Sequence, residues 1–328
     1  MSETVLDIKR TPAPPRWVRN YPMLAGVVVT AAVLLAVAIW SGSYVRFVVQ
    51  LIMINAIATM GVNIGMGFAG LVSIGHAGFA AIGAYTTTLL MLHWGLSFFV
   101  AMPLGAIAAA VAGVVIGLPA LKLSPLYIAM VTFGFGQAVA LVALNWIEMT
   151  RGPNGLAVPE VILFGTPLSA DGLYAMAVVI FALSFWLSWN IRRTRLGRAF
   201  MAVRGSAIAA QAMGVPVARY KTIAFGISAL YGGVAGGLYA PISGFINPEA
   251  FGFGASINYV TMGVVGGIGT LSGPIIGAVV LTILPEMLRA YAEYKEFITG
   301  LVLLVFIVLL PGGLFALGRG IINRLSRG

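Results

Sequence analysis

The sequence predicts an all-α fold: a polytopic transmembrane helical bundle of about ten hydrophobic segments, some short or broken, with both termini cytoplasmic. Three observations carry this prediction. First, 60% of the 328 residues are apolar and only 9% are charged, whereas a soluble domain carries about 25% charged residues. Second, the apolar residues fall in runs. A hydrocarbon core about 30 Å thick takes about 20 residues of helix to cross, and several runs are that long. Third, the 19 basic residues cluster between the runs, as positive-inside topology signals do. This composition excludes an ordinary cytosolic enzyme, a disordered chain and a disulfide-stapled secreted domain. Cys is absent, which removes disulfides, thiolate metal sites and cysteine catalysis. Gly numbers 42, well above the average usage of about 7%, and predicts closely packed helices and helix breaks.

Each segment follows in order. Residues 1–21 form a basic tail with Lys9, Arg10, Arg16 and Arg19, placed in the cytoplasm by its charge. The membrane domain runs over 22–312. Its first run, 22–40, competes with a signal peptide but exceeds a signal core of about 7–15 residues, so a retained span is expected. Further spans are expected at 47–68, 76–92, 98–119, 125–147 and 172–190. Counting forward places Lys122 inside and loop 148–171 outside, where Glu148, Glu160 and Asp171 stand against Arg151. Loop 191–221 then falls inside. It holds Arg192, Arg193, Arg195, Arg198, Arg204, Arg219 and Lys221 and no acidic residue. A span at 222–245 follows.

The stretch 255–288 tests the count. As a single span it would leave Arg319, Arg324 and Arg327 outside, against the charge rule. A break at Gly266, Gly267, Gly269, Gly273 and Pro274 divides it into two short segments. Gly reaches unusual dihedrals and Pro lacks a backbone donor, so a turn is permitted there. After a last span at 297–312, the basic tail 313–328 returns to the cytoplasm. One of the short segments is a candidate re-entrant element. Gly70-Leu71-Val72-Ser73-Ile74-Gly75 is similar in type to Gly269-Thr270-Leu271-Ser272-Gly273. An internal repeat with interrupted segments and chance account for this equally well.

No catalytic residue, metal site or cofactor is expected. The chain lacks a phosphate-binding loop; Lys221-Thr222 is preceded by Tyr220 where that motif needs Gly. The only histidines are His76 and His93, and no nucleophile elbow occurs. None of the nine acidic residues lies centrally in an expected span. An ion-coupled secondary carrier, the alternative from another class, generally keeps ionisable groups at depth, so it is disfavoured. Nucleic acid is not an expected partner, because no basic face is interleaved with exposed aromatics. The spans hold neutral polar groups instead. Asn55, Asn63, Gly75, His76 and Gln137 are the candidates for lining a solute path. Asn55 and Asn63 stand eight apart, near one helical face. Bonding between helices accounts for the same residues, and both readings stay open at this point.

The basic loop carries the clearest local pattern. Ser206 is a plausible N-cap, Gly214 suits the left-handed position after a helix, and Pro216 stops continuation. Ile208 and Ala212 are i,i+4 neighbours and form a small apolar face with Met213, and Ala209 permits close approach. From the pattern alone, this face either packs on the chain's own membrane domain or docks on a partner subunit.

Several ordered motifs then resemble a known family. They are Thr194-Arg195-Leu196-Gly197-Arg198-Ala199, Ala209-Ala210-Gln211-Ala212-Met213-Gly214-Val215 and Arg219-Tyr220-Lys221. Gly70 to Ala77, Gly152-Pro153-Asn154-Gly155, Phe245 to Glu249 and Gly266 to Thr270 fit as well. Over about 45–315 the chain resembles the LivM-type membrane permease of branched-chain amino acid ABC transporters. The resemblance implies a multi-pass importer subunit of the bacterial inner membrane. Its partners would be a homologous permease in a heterodimer, two ATP-binding subunits, a periplasmic solute-binding protein, the lipid bilayer and a small-molecule solute. Urea, short amides and other amino acids use similar permeases. The resemblance also implies that 206–215, with Ser206, Ile208, Ala209, Ala212, Met213 and Gly214, is the loop helix that contacts the ATPase. Related permeases often open this loop motif with an acidic residue where this chain has Ser206-Ala207, and carry another near Gln211. An apolar docking face survives that departure; a salt bridge at those positions does not.

Overall fold

The molecule is seen in a computed structural model that describes residues 42–120, 125–163 and 165–288, together with 298, 300, 301, 304, 313 and 314. The expected span at 22–40 lies outside the described residues, as do most of the span at 297–312, the N-terminal tail and residues 315–328. The chain divides at Arg46 into a first unit, Met1–Arg46, and a second, Phe47–Gly328. In the first, the described residues 43–46 are the opening turn of a helix.

Helix α1 spans Ser43–Val62 and runs on as a π-helical turn over Asn63–Phe68. An irregular segment, 69–75, leads to α2 at His76–Trp94. Then come α3 at Phe98–Ala120 and α4 at Pro125–Asn145. The connection that follows holds a helical turn, Ile147–Thr150, a 3-10 turn, Gly152–Asn154, and the two-residue strands β1 at Leu156–Ala157, β2 at Ile162–Leu163 and β3 at Thr166–Pro167. Helix α5 covers Ala170–Arg193, opened by Ser169, whose hydroxyl accepts from the Gly172 amide at 3.2 Å. Two short helices follow, α6 at Arg195–Gly205 and α7 at Ala207–Ala212. The long α8, Val217–Ser243, ends at Gly244 and leads to β4 at Phe245–Ile246. Helices α9, Phe253–Gly266, and α10, Gly273–Met287, close the described fold. The helix is interrupted over 267–272, with Gly266 ending α9 and Gly273 and Pro274 opening α10. Gly267 and Gly269 stand at φ 118° and 82°, dihedrals that a residue with a Cβ rarely adopts.

Helices α1, α3, α4, α5 and α8 are each long and apolar enough to cross a membrane. Helix α2 has 19 residues, but its three threonines and two histidines lower its apolarity below theirs. The core is built from α2, α3 and α8, which pack on one another more extensively than any other trio. Glycine makes that approach possible. A Cβ at Gly83 would strike the Gly233 carbonyl, and one at Gly236 would strike the Ala80 carbonyl. Close packing through small residues is how helices gain dispersion energy in lipid, where apolar side chains have no water to escape. Helix α5 joins this core through a hydroxyl chain: Ser188 donates to the Tyr231 hydroxyl at 2.8 Å, which donates to the Ser184 carbonyl at 2.8 Å.

The outer faces invert the pattern of a soluble protein. Val111 and Val115 on α3, Leu126 and Met130 on α4, and Val179 and Leu183 on α5 all lie exposed, while Thr59, Asn63, Thr87 and Thr132 are buried. A soluble monomer rarely exposes apolar patches of more than a few hundred Å². This is a multi-pass membrane protein.

Two ends of the bundle can be told apart. Strand β1 pairs with β4, Leu156 opposite Ile246, so the connection after α4 meets the C-terminal end of α8. The start of α8, 27 residues away and so about 40 Å distant, lies at the end that holds α6, α7 and two helix breaks, the π-helical turn and irregular segment over 63–75 and the turn 267–272 between α9 and α10.

Candidate functional site

Helix α7 forms as its sequence dictates. The Ser206 hydroxyl accepts from the Ala209 amide at 3.2 Å, which satisfies one of the orphan donors of a helix start. At the other end Gly214 takes φ 79°, and the Gly214 and Val215 amides return to the Gln211 and Ala210 carbonyls, both at 3.0 Å. Ala210 is turned inward and buried. Ile208 and Met213 are each 84% exposed, and Ala209 and Ala212 are exposed beside them. No described residue covers this apolar face.

Helix α6 connects it to the bundle. Phe200 and Val203 are buried, and the Phe200 ring meets Tyr220 of α8 edge-on, with centroids 6.3 Å apart. Arg204, two residues before the α7 cap, lays its stem along Gly70. A Cβ there would stand 3.3 Å from the Arg204 Cγ. The guanidinium donates to the Gly67 carbonyl and sits so close to Gly269 that a Cβ would come within 2.6 Å of its Nη1.

Asn63 ties the same two breaks from the other side. Its Oδ1 accepts from the Gly269 amide at 2.7 Å, and its Nδ2 donates to the Thr270 carbonyl at 2.7 Å. Asn55, one face-repeat earlier, donates to the Thr282 hydroxyl of α10 at 2.9 Å. The eight-residue spacing thus does bring Asn55 and Asn63 to one neighbour, the segment 267–287. Their amides are occupied there by bonds between helices.

His76 lies apart from that pair. It is 0% exposed, with Phe79 and Tyr259 edge-on at 6.0 and 6.1 Å. A Cβ at Gly61 would meet its Cε1 at 2.9 Å. The Ala58 carbonyl faces the ring, but neither nitrogen makes a hydrogen bond of normal geometry. Ser73, Tyr85, Thr87 and Thr88 also bury hydroxyls without a partner among the described residues. All five belong to one segment, 73–88. Gly75 packs against the Thr132 carbonyl, and the Ile74 amide donates to the Thr132 hydroxyl at 3.0 Å. Half-buried Gln137 follows Gly136, whose Cβ position lies 3.1 Å from the Gly75 Cα.

A groove of about 420 Å³ between α4 and α9, lined by Ile74, Met130, Phe133, Phe253 and Ile257 among others, is almost wholly apolar. It offers no charge partner to a zwitterion. Among the described residues no three His, Asp or Glu side chains converge as metal ligands would. The spacing of residues missed Arg204, Thr270, Thr282 and Tyr259. Arg204 carried a signal in its place just before the cap of α7, and Thr270 in the motif Gly266 to Thr270.

A family model described as "Branched-chain amino acid transport system / permease component" matches residues 43–308. The permease protein LivM of the high-affinity branched-chain amino acid transport system of Escherichia coli (strain K12) is 35% identical over 297 residues, 83% of this chain and 70% of that protein. LivH of Salmonella typhimurium, a permease protein of the same kind of system, is 30% identical over 53% of this chain and 59% of its own length. The autoinducer 2 import system permease protein LsrC of Enterobacter sp. (strain 638) is 31% identical over 65% of this chain and 62% of its own. No solved structure matches the chain significantly.

Proposed function

The chain belongs to the family of branched-chain amino acid transport system permease components, and on that premise we propose that it is the membrane permease subunit of a binding-protein-dependent ABC importer for branched-chain amino acids. It works in the bacterial inner membrane, beside a homologous permease, with two ATP-binding subunits and a periplasmic binding protein. This subunit is not catalytic. ATP is hydrolysed by the partners, whose movement reaches the chain at α7. The observation that carries this coupling is the uncovered face of Ile208 and Met213. In water two large apolar side chains are stabilised by burial, at about 1.5–3 kcal/mol each, and a groove on an ATP-binding subunit supplies it.

The solute path runs along the segment 73–88. Its unpaired polar groups support this placement, since each buried group left without a bond costs about 1–3 kcal/mol. A polar solute passing by would relieve that cost. The groups are neutral, so they guide a zwitterion without holding it. The LsrC relative favours a second reading that differs only in solute: another small polar molecule, selected by a different binding protein.

Coupling is tested by Ala209→Glu, which puts a bulky charge on the α7 face. The variant should insert normally. It should lose co-purification with the ATP-binding subunits and at least tenfold of solute uptake. Uptake at the wild-type rate would remove α7 from the coupling route.

A further inference from the structure

The two helix breaks are held together by two side chains that approach from different directions. Asn63 belongs to the break itself and clasps Gly269 and Thr270. Arg204 comes from outside the bundle, at the end of α6, and donates to the Gly67 carbonyl while resting on Gly269. The backbone accounting shows why this bond matters. In the turn after α1, the Ala69, Gly70 and Leu71 amides take the Ile64, Met66 and Gly65 carbonyls. The Gly67 carbonyl is left for Arg204. It lies near the negative end of a helix, where a cation is favoured. Arg204 is also joined to α7 by a short stretch of chain, Gly205 and the cap residue Ser206, whose backbone is extended at φ −160°. Displacement of α7 therefore pulls directly on the residue that bridges the breaks.

We propose that Arg204 is a positioning residue that holds the two helix breaks together and releases them when α7 moves, opening that end of the solute path. The proposal rests on the importer reading for what moves α7, and on the geometry alone for what Arg204 holds. With the bond in place, Gly67 and Gly269 are locked side by side. Once the guanidinium withdraws, the Gly67 carbonyl turns to water and the turn 267–272 keeps its two hydrogen bonds to Asn63 without the guanidinium resting on Gly269. A glycine at each contact point lets the guanidinium and its stem lie directly on backbone, so a small shift of α6 breaks the contact.

The test uses the absence of native cysteine. Ser272→Cys places a single thiol in the second break. Membranes carrying the complete importer are treated with a small thiol reagent, and labelling is read on this chain after denaturing separation. Arg204→Met keeps the stem over Gly70 and removes the donor. It should speed labelling of the thiol about fivefold or more and lower uptake per ATP hydrolysed about tenfold. Arg204→Lys, which restores one N–H donor, should recover at least half of the protection. A purely structural role for the stem would leave the Met variant like wild type. Arg204→Leu replaces Met if that variant does not accumulate. In the wild type, ATP with binding protein should also speed labelling. Labelling that responds to ATP but is the same in Arg204→Met and wild type overturns the latch and leaves the importer reading standing. Labelling that is faster in Arg204→Met but indifferent to ATP in the wild type overturns the release by α7, while the importer reading is decided separately by uptake and co-purification of the Ala209→Glu variant.

Discussion

Asn63 shows how one side chain can settle the accounts of a break more than 200 positions away. It is buried, and its amide supplies one acceptor and one donor to the turn between α9 and α10. Removing the side chain leaves the Gly269 N–H and the Thr270 carbonyl unpaired, at about 1–3 kcal/mol each. Asn63→Asp is worse than Asn63→Ser, because a carboxylate keeps the acceptor, loses the donor and faces the Thr270 carbonyl with a negative charge in a poorly solvated place. The Asp variant of the purified chain should therefore unfold at a lower temperature than the Ser variant, followed by the fluorescence of its tryptophans. Equal midpoints for Asp and wild type would contradict the clasp. Spacing placed Asn55 and Asn63 on one face, and they do share a neighbour. The identity of that neighbour was illegible, because periodicity reports a face and never the segment folded against it.

The helices themselves were largely legible, since lipid imposes one rule on every span: about 20 apolar residues with internal bonding. Cap chemistry marked α7, through Ser206 and Gly214, and Gly with Pro marked the turn between α9 and α10. Three features escaped. The π-helical turn at Asn63–Phe68 has no compositional signature, the β1–β4 pair is only two residues long, and the role of Arg204 depends on three segments meeting. The glycines were legible as a count and illegible as contacts. In α8 their contacts differ in kind. A Cβ at Gly236 would strike the Ala80 carbonyl, whereas one at Gly226 would meet the Cγ2 of Val114 at 2.8 Å. A valine methyl can turn aside; a helix carbonyl in α2 cannot move without its helix. Gly236→Ala should therefore cost several kcal/mol, in the range of overpacked cores, and lower the yield of folded chain in detergent. Gly226→Ala should cost about 1 kcal/mol or less. Size-exclusion profiles of the two after graded heating decide the order, and a more heat-sensitive Gly226→Ala would reverse it.

The whole molecule carries a charge asymmetry that its two ends make physical. At the end with α6, α7 and the breaks, 191–221 holds seven basic residues and no acidic one. At the other, the connection after α4 holds Glu148 and Glu160 against Arg151, and its strand β1 meets β4 beside Glu249. Lys and Arg near membrane ends stay on the cytoplasmic side, so the α7 end is expected inside and the β1–β4 end outside. That orientation is also the one the coupling proposal requires of α7. Single cysteines decide it against a silent background, because the chain has none. Cysteine in place of Glu160 should react with a membrane-impermeant thiol reagent added outside intact cells, and cysteine in place of Ser206 should react only after the membrane is opened. The reverse pattern would turn the molecule over and take the coupling proposal with it. Cysteine in place of Ser326, outside the described residues, settles the number of segments. Ten crossings return the C-terminal tail to the cytoplasm and protect it. If 255–288 counted as one crossing despite its break, the tail and its arginines would lie outside and label at once.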